Sequence, residues 1–359
     1  MMSLIILIGV VLVLVILFLI FRVSSLVGIA KGKEDEKENE STWNKVNAAL
    51  FVILPAAGLI WFFYYSFVHY DSYTLPIASV HGKRTDSLFW ITMAVTVVAF
   101  VIISIVMFAF IYQYQYHPKR KAKFFPDNHY LELTWTIIPA IVLSVLIFTG
   151  LRAWNDITAP AGKDAEVIEI IGQQFAWTCR YPGIKDKELG KVHYKLIDNV
   201  GNEFGLDLSD KNSFDDFKSL ELHLPVDKEI LLNIRAKDVL HSVFLPHFRV
   251  KMDAVPGMPT HFKFKVTKTT QQMRDETGNP NFNYELACTE ICGQGHFSMR
   301  MPVVVEDEES YERWKASQES WLKQNPDYLK KVPANLREAA MIKAGLEKDP
   351  GTSVAAVNE

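Results

Sequence analysis

The residues best suited to chemistry lie close together in one short stretch of the chain. The sequence YELACTEICGQGHFSMRM, at 284–301, contains four side chains with metal-binding atoms: Cys288, Cys292, His296 and Met299. Thiolate, thioether and imidazole ligands together favour copper, whereas calcium and magnesium prefer carboxylate and carbonyl oxygens. The spacing therefore predicts a loop that supplies most of a copper site.

This stretch does not by itself match a mononuclear blue-copper site. Such a site uses one thiolate, two imidazoles and a weak thioether, so the loop has one cysteine too many and one histidine too few. The second histidine must come from elsewhere in the chain. His241, in KDVLHSVFLP, is the best candidate because it follows a strand-like run at 229–234.

Three motifs together resemble one known family. DVLHS around His241, DAVPG at 253–257 and CTEICGQGHFSM at 288–299 are similar to subunit II of the haem-copper cytochrome c oxidases, and the similarity covers roughly 86–323. The resemblance implies a binuclear copper centre, CuA, in which two thiolates bridge two copper ions. It assigns Cys288 and Cys292 as the bridges. The other implied ligands are His241, His296, Met299 and the backbone carbonyl of Glu290.

The cysteine pair has other interpretations. In an oxidising compartment the two cysteines could form a disulfide, but this interpretation leaves His296 and Met299 without a role. A tetrahedral zinc site from two cysteines and two histidines has no particular use for the methionine. Copper-delivery proteins of thioredoxin fold also carry two cysteines four apart and a distant histidine, but they lack the local histidine and methionine.

The resemblance also implies roles for carboxylates. In the family, the carboxylate matching Glu290 faces the catalytic subunit and binds a non-redox magnesium, for which oxygen ligands are suited. Asp253 would belong to the same hydrated interface, and Asp238 is a candidate to contact the donor or to orient His241. The glutamate matching Glu132 lies at the mouth of a proton-uptake path. The alternative for Glu132 is a carboxylate that complements a helix dipole.

The sequence GQQFAWTCRY, at 172–181, departs from the family. The family has tryptophan where Phe175 stands and another aromatic residue where Ala176 stands, and that tryptophan receives electrons from cytochrome c at the surface. Trp177 is retained and is expected to be a core aromatic. Phe175 and Trp177 therefore mark an electron-input region that differs from the family's. We expect a cytochrome c-type donor other than the soluble protein, such as a membrane-bound haem domain held in a larger assembly.

Long apolar runs predict a membrane protein. Four runs are long enough to cross a bilayer as helices, at 4–21, 46–67, 88–112 and 133–154, and aromatic residues lie near their ends. A signal peptide is the alternative for the first run, but no basic residue precedes it and it is long for a signal core. An all-buried soluble bundle is the alternative for the set, and the interfacial aromatics argue against it.

The basic residues predict the orientation. Lysine and arginine are frequent in the connections at 31–45 and 117–129, whereas 69–85 has only Lys83 and Arg84. By the positive-inside rule, the richer connections are cytoplasmic. We therefore expect a multi-pass protein of the bacterial inner (plasma) membrane, with the amino terminus and the copper domain on the periplasmic side. The family usually has only a hairpin, and the two additional helices are expected to pack against another subunit or lipid.

Composition excludes several classes of protein. The 359 residues include 38 basic and 41 acidic side chains, a balance that argues against a nucleic-acid partner. Three cysteines are too few for a disulfide framework, and the sequence has no C-x-x-C-H motif for a c-type haem. Cys179, outside the copper motif, is expected to be a buried, small apolar residue.

The second half of the chain has the pattern of short strands. Alternating runs bounded by turn residues occur at 166–171, 220–224, 230–234, 261–266, 282–286 and 302–305. The predicted fold is therefore transmembrane α-helices followed by an all-β cupredoxin-like Greek-key barrel. The expected domains are two additional helices at 1–70, a helical hairpin at 71–158, the copper domain at 159–308 and a helical or disordered extension at 309–359.

The resemblance implies a function for this combination. The chain would be the electron-input subunit of a cytochrome c oxidase: CuA accepts electrons from an external cytochrome and passes them to haem in subunit I, where oxygen is reduced to water with proton translocation. Haem is expected only in the partner. The alternatives are the corresponding subunit of a CuA-type nitric oxide reductase and a membrane-anchored copper-delivery protein. A quinol oxidase subunit is disfavoured because that branch lacks these copper ligands.

Overall fold

The described residues of the chain form two compact units. A computed structural model describes residues 2–30, 36–117, 120–184, 187–198 and 200–346. The first unit comprises the segments up to Tyr73 and Met93–Ile137, and the second comprises Thr74–Thr92 and the chain from Ile138 onward.

The amino-terminal part is helical. Its helices are α1 (Met2–Ala30), α2 (Glu36–Val68), the one-turn α3 (Tyr70–Tyr73), α4 (Val80–Gln113) and α5 (His129–Thr158). Three described segments are long and apolar enough to cross a membrane: Trp43–Val68, Val80–Gln113 and His129–Thr158. Since nearly all of their apolar side chains are exposed in the isolated chain, these helices need lipid or protein around them. The chain is therefore a membrane protein.

The predicted apolar runs coincide with these helices. The runs at 46–67, 88–112 and 133–154 lie inside α2, α4 and α5. The first run, at 4–21, lies inside α1, but its side chains before Val11 are outside the described residues; Val11–Val27 is a shorter apolar segment. The first run therefore stays a prediction as a membrane span. Residues 31–35 and 118–119 of the basic connections are also outside the described part.

The second unit contains two five-stranded sheets. The first has the order β3-β2-β1-β5-β8 and the second the order β4-β10-β9-β6-β7. The strands are β1 (Glu166–Gln173), β2 (Ala176–Tyr181), β3 (Phe217–Ser219), β4 (Leu222–Pro225), β5 (Glu229–Ala236), β6 (His241–Leu245), β7 (Val250–Ala254), β8 (Thr260–Lys265), β9 (Tyr284–Cys288) and β10 (Arg300–Glu306).

Apolar side chains from both sheets form one core. Ile168 and Leu232, which are register partners in the parallel β1–β5 pair, lie in the same buried cluster as Val243, Leu286 and Val303 of the second sheet. All five are at most 1% exposed. The two sheets therefore pack face to face, and the prediction of membrane helices followed by a cupredoxin-like β-domain is confirmed.

Each of the six predicted strand runs overlaps an observed strand, but β2, β3, β6 and β7 were missed as strands. The sequence HSVFL of β6 is buried on both faces, so it shows no alternation of apolar and polar residues. His241 follows the predicted run at 229–234, as expected, and it is itself the first residue of β6.

The chain after β10 adds a second, smaller core. Helices α7 (Glu308–Ala316), α8 (Trp321–Gln324) and α9 (Arg337–Lys343) follow β10, and α6 (Thr270–Thr277) lies between β8 and β9. Trp321, Leu322 and Ala340 pack in one buried cluster with Phe204 and Phe214, which come from the long connection between β2 and β3. Residues 325–346 are therefore folded against the β-domain, whereas 347–359 lie outside the described residues.

Hydrogen bonds fix the start of α4 to the β-domain within the second unit. The Ser79 hydroxyl donates to the Phe248 carbonyl at 2.6 Å, and the Thr267 N–H donates to the Ala78 carbonyl at 2.9 Å. Arg249 pairs with Asp86 through two nitrogens, at 2.8 and 2.9 Å. These contacts hold the first turns of α4 to the β-domain.

A buried ion network crosses the first sheet. Arg180 on β2, with 2% of its side chain exposed, pairs with Glu169 on β1 at 2.6 Å and with Asp216. Arg235 on β5 donates to the other oxygen of Glu169 at 2.6 Å. Burial alone would raise the pKa of Glu169, but the two guanidinium groups outweigh it and the pKa is lowered from its ordinary value of 4.5.

Replacing Glu169 with Gln should destabilise the β-domain by about 3 to 5 kcal/mol at neutral pH, because the buried Arg180 and the half-buried Arg235 lose the carboxylate that they share, and Arg180 keeps only Asp216. Denaturant unfolding of the full chain in detergent, followed by β-sheet circular dichroism, measures this. The ionised Glu169 carboxylate contributes its full stabilisation above its ordinary pKa and loses it as the pH falls through the lowered folded-state pKa. The difference in unfolding free energy between wild type and Glu169→Gln should therefore become smaller in acid.

The matched control is Glu276→Gln, which removes an exposed ion pair with Lys268. This substitution should lower the free energy of unfolding by only ~0 to 1 kcal/mol. Equal effects of the two substitutions at neutral pH would contradict a stabilising role for the buried network.

Candidate metal centre

Three neighbouring strands bring the predicted ligands together. Cys288 is the last residue of β9, and β10 begins just after Met299, so the metal loop, defined as residues 288–299, connects two hydrogen-bonded antiparallel strands. The Cys288 N–H donates to the Met299 carbonyl at 3.1 Å and closes this loop. On the other side of β9 lies β6, with Val243 opposite Cys288, and His241 begins that strand.

The donor atoms meet at short distances. The two sulfurs of Cys288 and Cys292 are 3.9 Å apart. His241 Nδ1 lies 3.9 Å and the Glu290 carbonyl oxygen 3.3 Å from Cys288 Sγ. On the opposite side, His296 Nδ1 and Met299 Sδ lie 3.6 and 3.8 Å from Cys292 Sγ. All six predicted ligands are therefore brought into one place.

These six atoms divide into two sets that share the sulfurs. His241, Cys288 and Cys292 have donor atoms within 4.8 Å of one another, and among the described residues His296 does not join that group. A single tetrahedral ion would hold both imidazoles and both thiolates around one point. Here one imidazole lies beside Cys288 and the other beside Cys292.

The distances also bear on the alternatives for the cysteines. A disulfide has an S–S length of about 2.05 Å, much shorter than the separation of Cys288 and Cys292. With metal–sulfur bonds of about 2.3 Å and metal–nitrogen bonds of about 2.0 Å, neighbouring ligands of a tetrahedral ion lie roughly 3.5 to 3.8 Å apart. The observed spacings are close to that value, and the soft sulfur and imidazole donors fit copper.

The centre is largely shielded from water. Cys288, Cys292, Met299 and His241 are buried, whereas His296 is half-buried. Burial, and then the adjacent Cys288 sulfur, raise the pKa of the Cys292 thiol to about 11. Metal binding must therefore displace a proton that the Cys292 thiol holds firmly.

A carboxylate and an indole orient His241. Asp238 Oδ1 lies 2.9 Å from His241 Nε2, which leaves Nδ1 directed at the sulfurs. Burial would raise the pKa of Asp238, but hydrogen bonds from the Gln174 N–H and from His241 lower it. The buried indole of Trp177 meets the imidazole edge-on at a ring separation of 5.8 Å. The structure thus places Trp177 in the core.

The turn between β1 and β2 lies against the metal loop. Phe175 is 38% exposed, and a side chain added at Gly295 would meet its ring. Gln174 Nε2 donates to the Cys292 carbonyl at 2.6 Å. The sequence pattern points to Phe175 but not to Gln174, because a glutamine in a turn carries no signal for the distant carbonyl to which it donates.

The three remaining carboxylate residues of the prediction lie in the metal loop, on β7 and in α5. Glu290 contributes its carbonyl to the cluster, and its residue is half-buried. Asp253 is exposed on β7, opposite Ser242 in the register. Glu132 is exposed in the first turn of α5, where its N–H donates to the Asn128 carbonyl at 2.9 Å.

Two sequence profiles match the chain. The profile described as cytochrome c oxidase subunit II, periplasmic domain, matches residues 166–308, and the one described as cytochrome c oxidase subunit II, transmembrane domain, matches 71–153. The first segment contains both sheets with the metal loop. The second contains α4 and most of α5.

Individual relatives agree with the profiles. The chain is 33% identical over 281 residues to the alternative cytochrome c oxidase subunit 2 of Bradyrhizobium diazoefficiens, covering 76% of this chain and 92% of the relative. It is 30% identical over 261 residues to cytochrome c oxidase subunit 2 of Thermostichus vulcanus, covering 66% and 76%. A crystal structure of the periplasmic domain of cytochrome oxidase subunit II from Bradyrhizobium japonicum aligns with a TM-score of 0.30 at 23% identity, covering 44% of this chain and 96% of that one.

Both matched profiles describe the same subunit, and together with the Bradyrhizobium diazoefficiens relative they account for most of the chain. The chain therefore belongs to the cytochrome c oxidase subunit II family, and it is a membrane-bound subunit of an oxidoreductase complex.

Proposed function

We propose that the chain is the electron-input subunit of a cytochrome c oxidase and that its metal loop holds a binuclear copper centre, CuA. One observation carries this proposal: the six soft and weak donors lie together, with one imidazole beside each of two adjacent sulfurs. Cys288 and Cys292 would bridge the ions. His241 and His296 would each bind one copper, and Met299 and the backbone carbonyl of Glu290 would be the weak ligands.

When bound, the copper pair would take single electrons from an external cytochrome and pass them to haem in the catalytic subunit, where oxygen is reduced with proton translocation. The protein's part is to hold the ligands with little rearrangement. Strands β6, β9 and β10 are hydrogen-bonded neighbours in the second sheet, so the metal loop and His241 are fixed by the same sheet.

The partner interface is part of the proposal. The carboxylate of Glu290 would bind magnesium together with the catalytic subunit, which replacement by Mn²⁺ and electron paramagnetic resonance of the complex would test. The positive-inside pattern supports a bacterial inner membrane protein with 71–158 as its membrane hairpin and 159–308 as its periplasmic domain. Cleavage of the copper domain by protease added only to the cytoplasmic side would contradict this orientation.

Replacing either bridging cysteine with serine should abolish the binuclear centre, because an alcohol is a poor ligand for copper and cannot bridge two ions as a thiolate does. The measurement is copper per full-length chain in detergent, with the electron paramagnetic resonance spectrum. Wild type should hold two ions with a mixed-valence signal, and Cys288→Ser and Cys292→Ser should lose that signal.

Cys179→Ala is the matched control. Its sulfur is fully buried on β2, 3.5 Å from Met301 Sδ, and is not among the six donors. This variant should keep two copper ions. A wild-type stoichiometry of one ion per chain would refute the proposed centre.

Glu132 is proposed to stand at the mouth of a proton-uptake path. Its exposure in the first turn of α5, at the end that the basic residues place in the cytoplasm, supports this role. Glu132→Gln should slow proton-coupled turnover of the assembled oxidase several-fold, because an amide cannot carry the proton.

Asp127→Asn, in the connection just before α5, removes an exposed carboxylate from the same region and should leave turnover unchanged. Oxygen consumption and proton release by the oxidase in vesicles measure both variants. If Glu132→Gln turns over at the wild-type rate, the proposed proton-uptake role is wrong, and Glu132 only complements the dipole of α5.

The electron donor is proposed to be a haem domain held in the membrane or in a larger assembly, rather than soluble cytochrome c. Two apolar side chains of the metal loop are strongly exposed, Ile291 by 86% and Phe297 by 79%, and Phe175 on the adjoining turn is 38% exposed. Charge steering needs a strongly charged docking surface. The isolated oxidase should therefore oxidise soluble cytochrome c slowly and with little dependence on salt; rapid, salt-sensitive oxidation would contradict this proposal.

A further inference from the structure

The β1–β2 turn joins the two segments that carry the imidazoles. Gln174 at this turn donates its side-chain amide to the Cys292 carbonyl at 2.6 Å. Its backbone N–H donates to Asp238 Oδ2 at 2.7 Å, and the other oxygen of Asp238 lies 2.9 Å from His241 Nε2. One residue therefore connects the metal loop with the carboxylate that orients the imidazole of β6.

The aromatic side chain of the same turn covers the metal loop. A Cβ added at Gly295 would lie 2.5 Å from Phe175 Cγ, and one added at Gly293 would lie 3.0 Å from Phe175 Cε1. Gly293 also has a φ of +133°, a conformation that other residues rarely adopt. The glycines thus let the loop approach the turn closely, and the ring then blocks outward movement of the loop.

The two hydrogen bonds of Gln174 reach different ligand segments of the proposed centre. The bond from Gln174 reaches the main chain of Cys292, whose sulfur lies beside His296 and Met299. The link through Asp238 reaches His241, which lies beside Cys288. Removing a residue that hydrogen-bonds to a metal ligand commonly lowers metal affinity by about 10- to 100-fold.

We propose that Gln174 is a positioning residue for both halves of the copper centre: through its two hydrogen bonds it sets the separation between the His241 segment and the Cys292 segment of the metal loop. This inference rests on the proposed copper centre and adds a residue that is not a ligand. Phe175 assists by covering the loop. The replacement of tryptophan by phenylalanine keeps this cover while changing the surface that a donor meets.

The neighbouring glutamine provides the control. Gln173 lies beside Gln174 in the chain and is also exposed. Its side-chain oxygen accepts from Lys237 Nζ at 3.2 Å, and among the described residues its side chain makes no hydrogen bond to the metal loop. The variants Gln174→Ala and Gln173→Ala therefore each remove a glutamine side chain from adjacent positions, and only the first removes a hydrogen bond to the metal loop. Gln174→Glu and Gln173→Glu repeat the comparison with near-isosteric side chains, and the Gln174→Glu carboxylate cannot donate to the Cys292 carbonyl.

The experiment uses the full chain in detergent, loaded with copper, and measures the rate of copper loss to a chelator, the electron paramagnetic resonance hyperfine pattern and the visible absorption. Both Gln174 variants should lose copper at least about 10-fold faster than wild type and show an altered hyperfine pattern. Both Gln173 variants should match wild type. The backbone bond to Asp238 is available in every variant, and circular dichroism checks that the domain stays folded.

The outcomes separate this inference from the proposed function. If wild type holds two ions and the Gln174 variants have wild-type spectra and copper-loss rates, the positioning role is wrong and the copper centre stands. If wild type fails to hold two ions, the proposed centre itself is wrong. If the Gln173 and Gln174 variants change equally, the effect belongs to the turn as a whole and the specific role of Gln174 is refuted.

Discussion

The hydrogen-bonded register of β6, β9 and β10 is the constraint on which the rest of the structure depends. It sets Val243 opposite Cys288, closes the metal loop through the Cys288 N–H and the Met299 carbonyl, and so places His241 beside the sulfurs. A slip of one residue in either pair would turn the alternate side chains outward. The geometry of the donors therefore depends on the sheet, and a short 3-10 turn at His296–Ser298 adds hydrogen bonds within the loop.

The surroundings of this register are built to resist movement. The β1–β2 turn lies over the metal loop, the indole of Trp177 supports the imidazole of His241, and the buried ion network of Arg180 ties β1 to β2 and β5. At another face, Arg249 and the Ser79 hydroxyl hold the start of α4 to the domain. A metal that changes oxidation state repeatedly benefits from ligands that move little, and each of these contacts limits such movement.

Parts of the fold were beyond prediction for a common reason. Strand β6 is buried on both faces and β2 is buried along most of its length, so neither alternates as a half-exposed strand does. The second core joins Phe204 and Phe214 with Trp321 and Ala340, more than a hundred residues later. The sequence left the order of 325–346 undecided because no local pattern reports packing between segments so far apart.

The sequence by itself determined the class of the protein: apolar runs long enough to cross a membrane, a β-domain after them, and a loop whose cysteines, histidine and methionine favour copper. These features are local, since hydropathy, alternation and ligand type are written in neighbouring residues. Only the tertiary structure decided that His241 opens an interior strand, that one imidazole lies beside each of the two sulfurs, and that Gln174 reaches the Cys292 carbonyl. Those facts depend on strand register and on turns that meet across the sandwich, and residues 118 positions apart carry no mutual signal in one sequence.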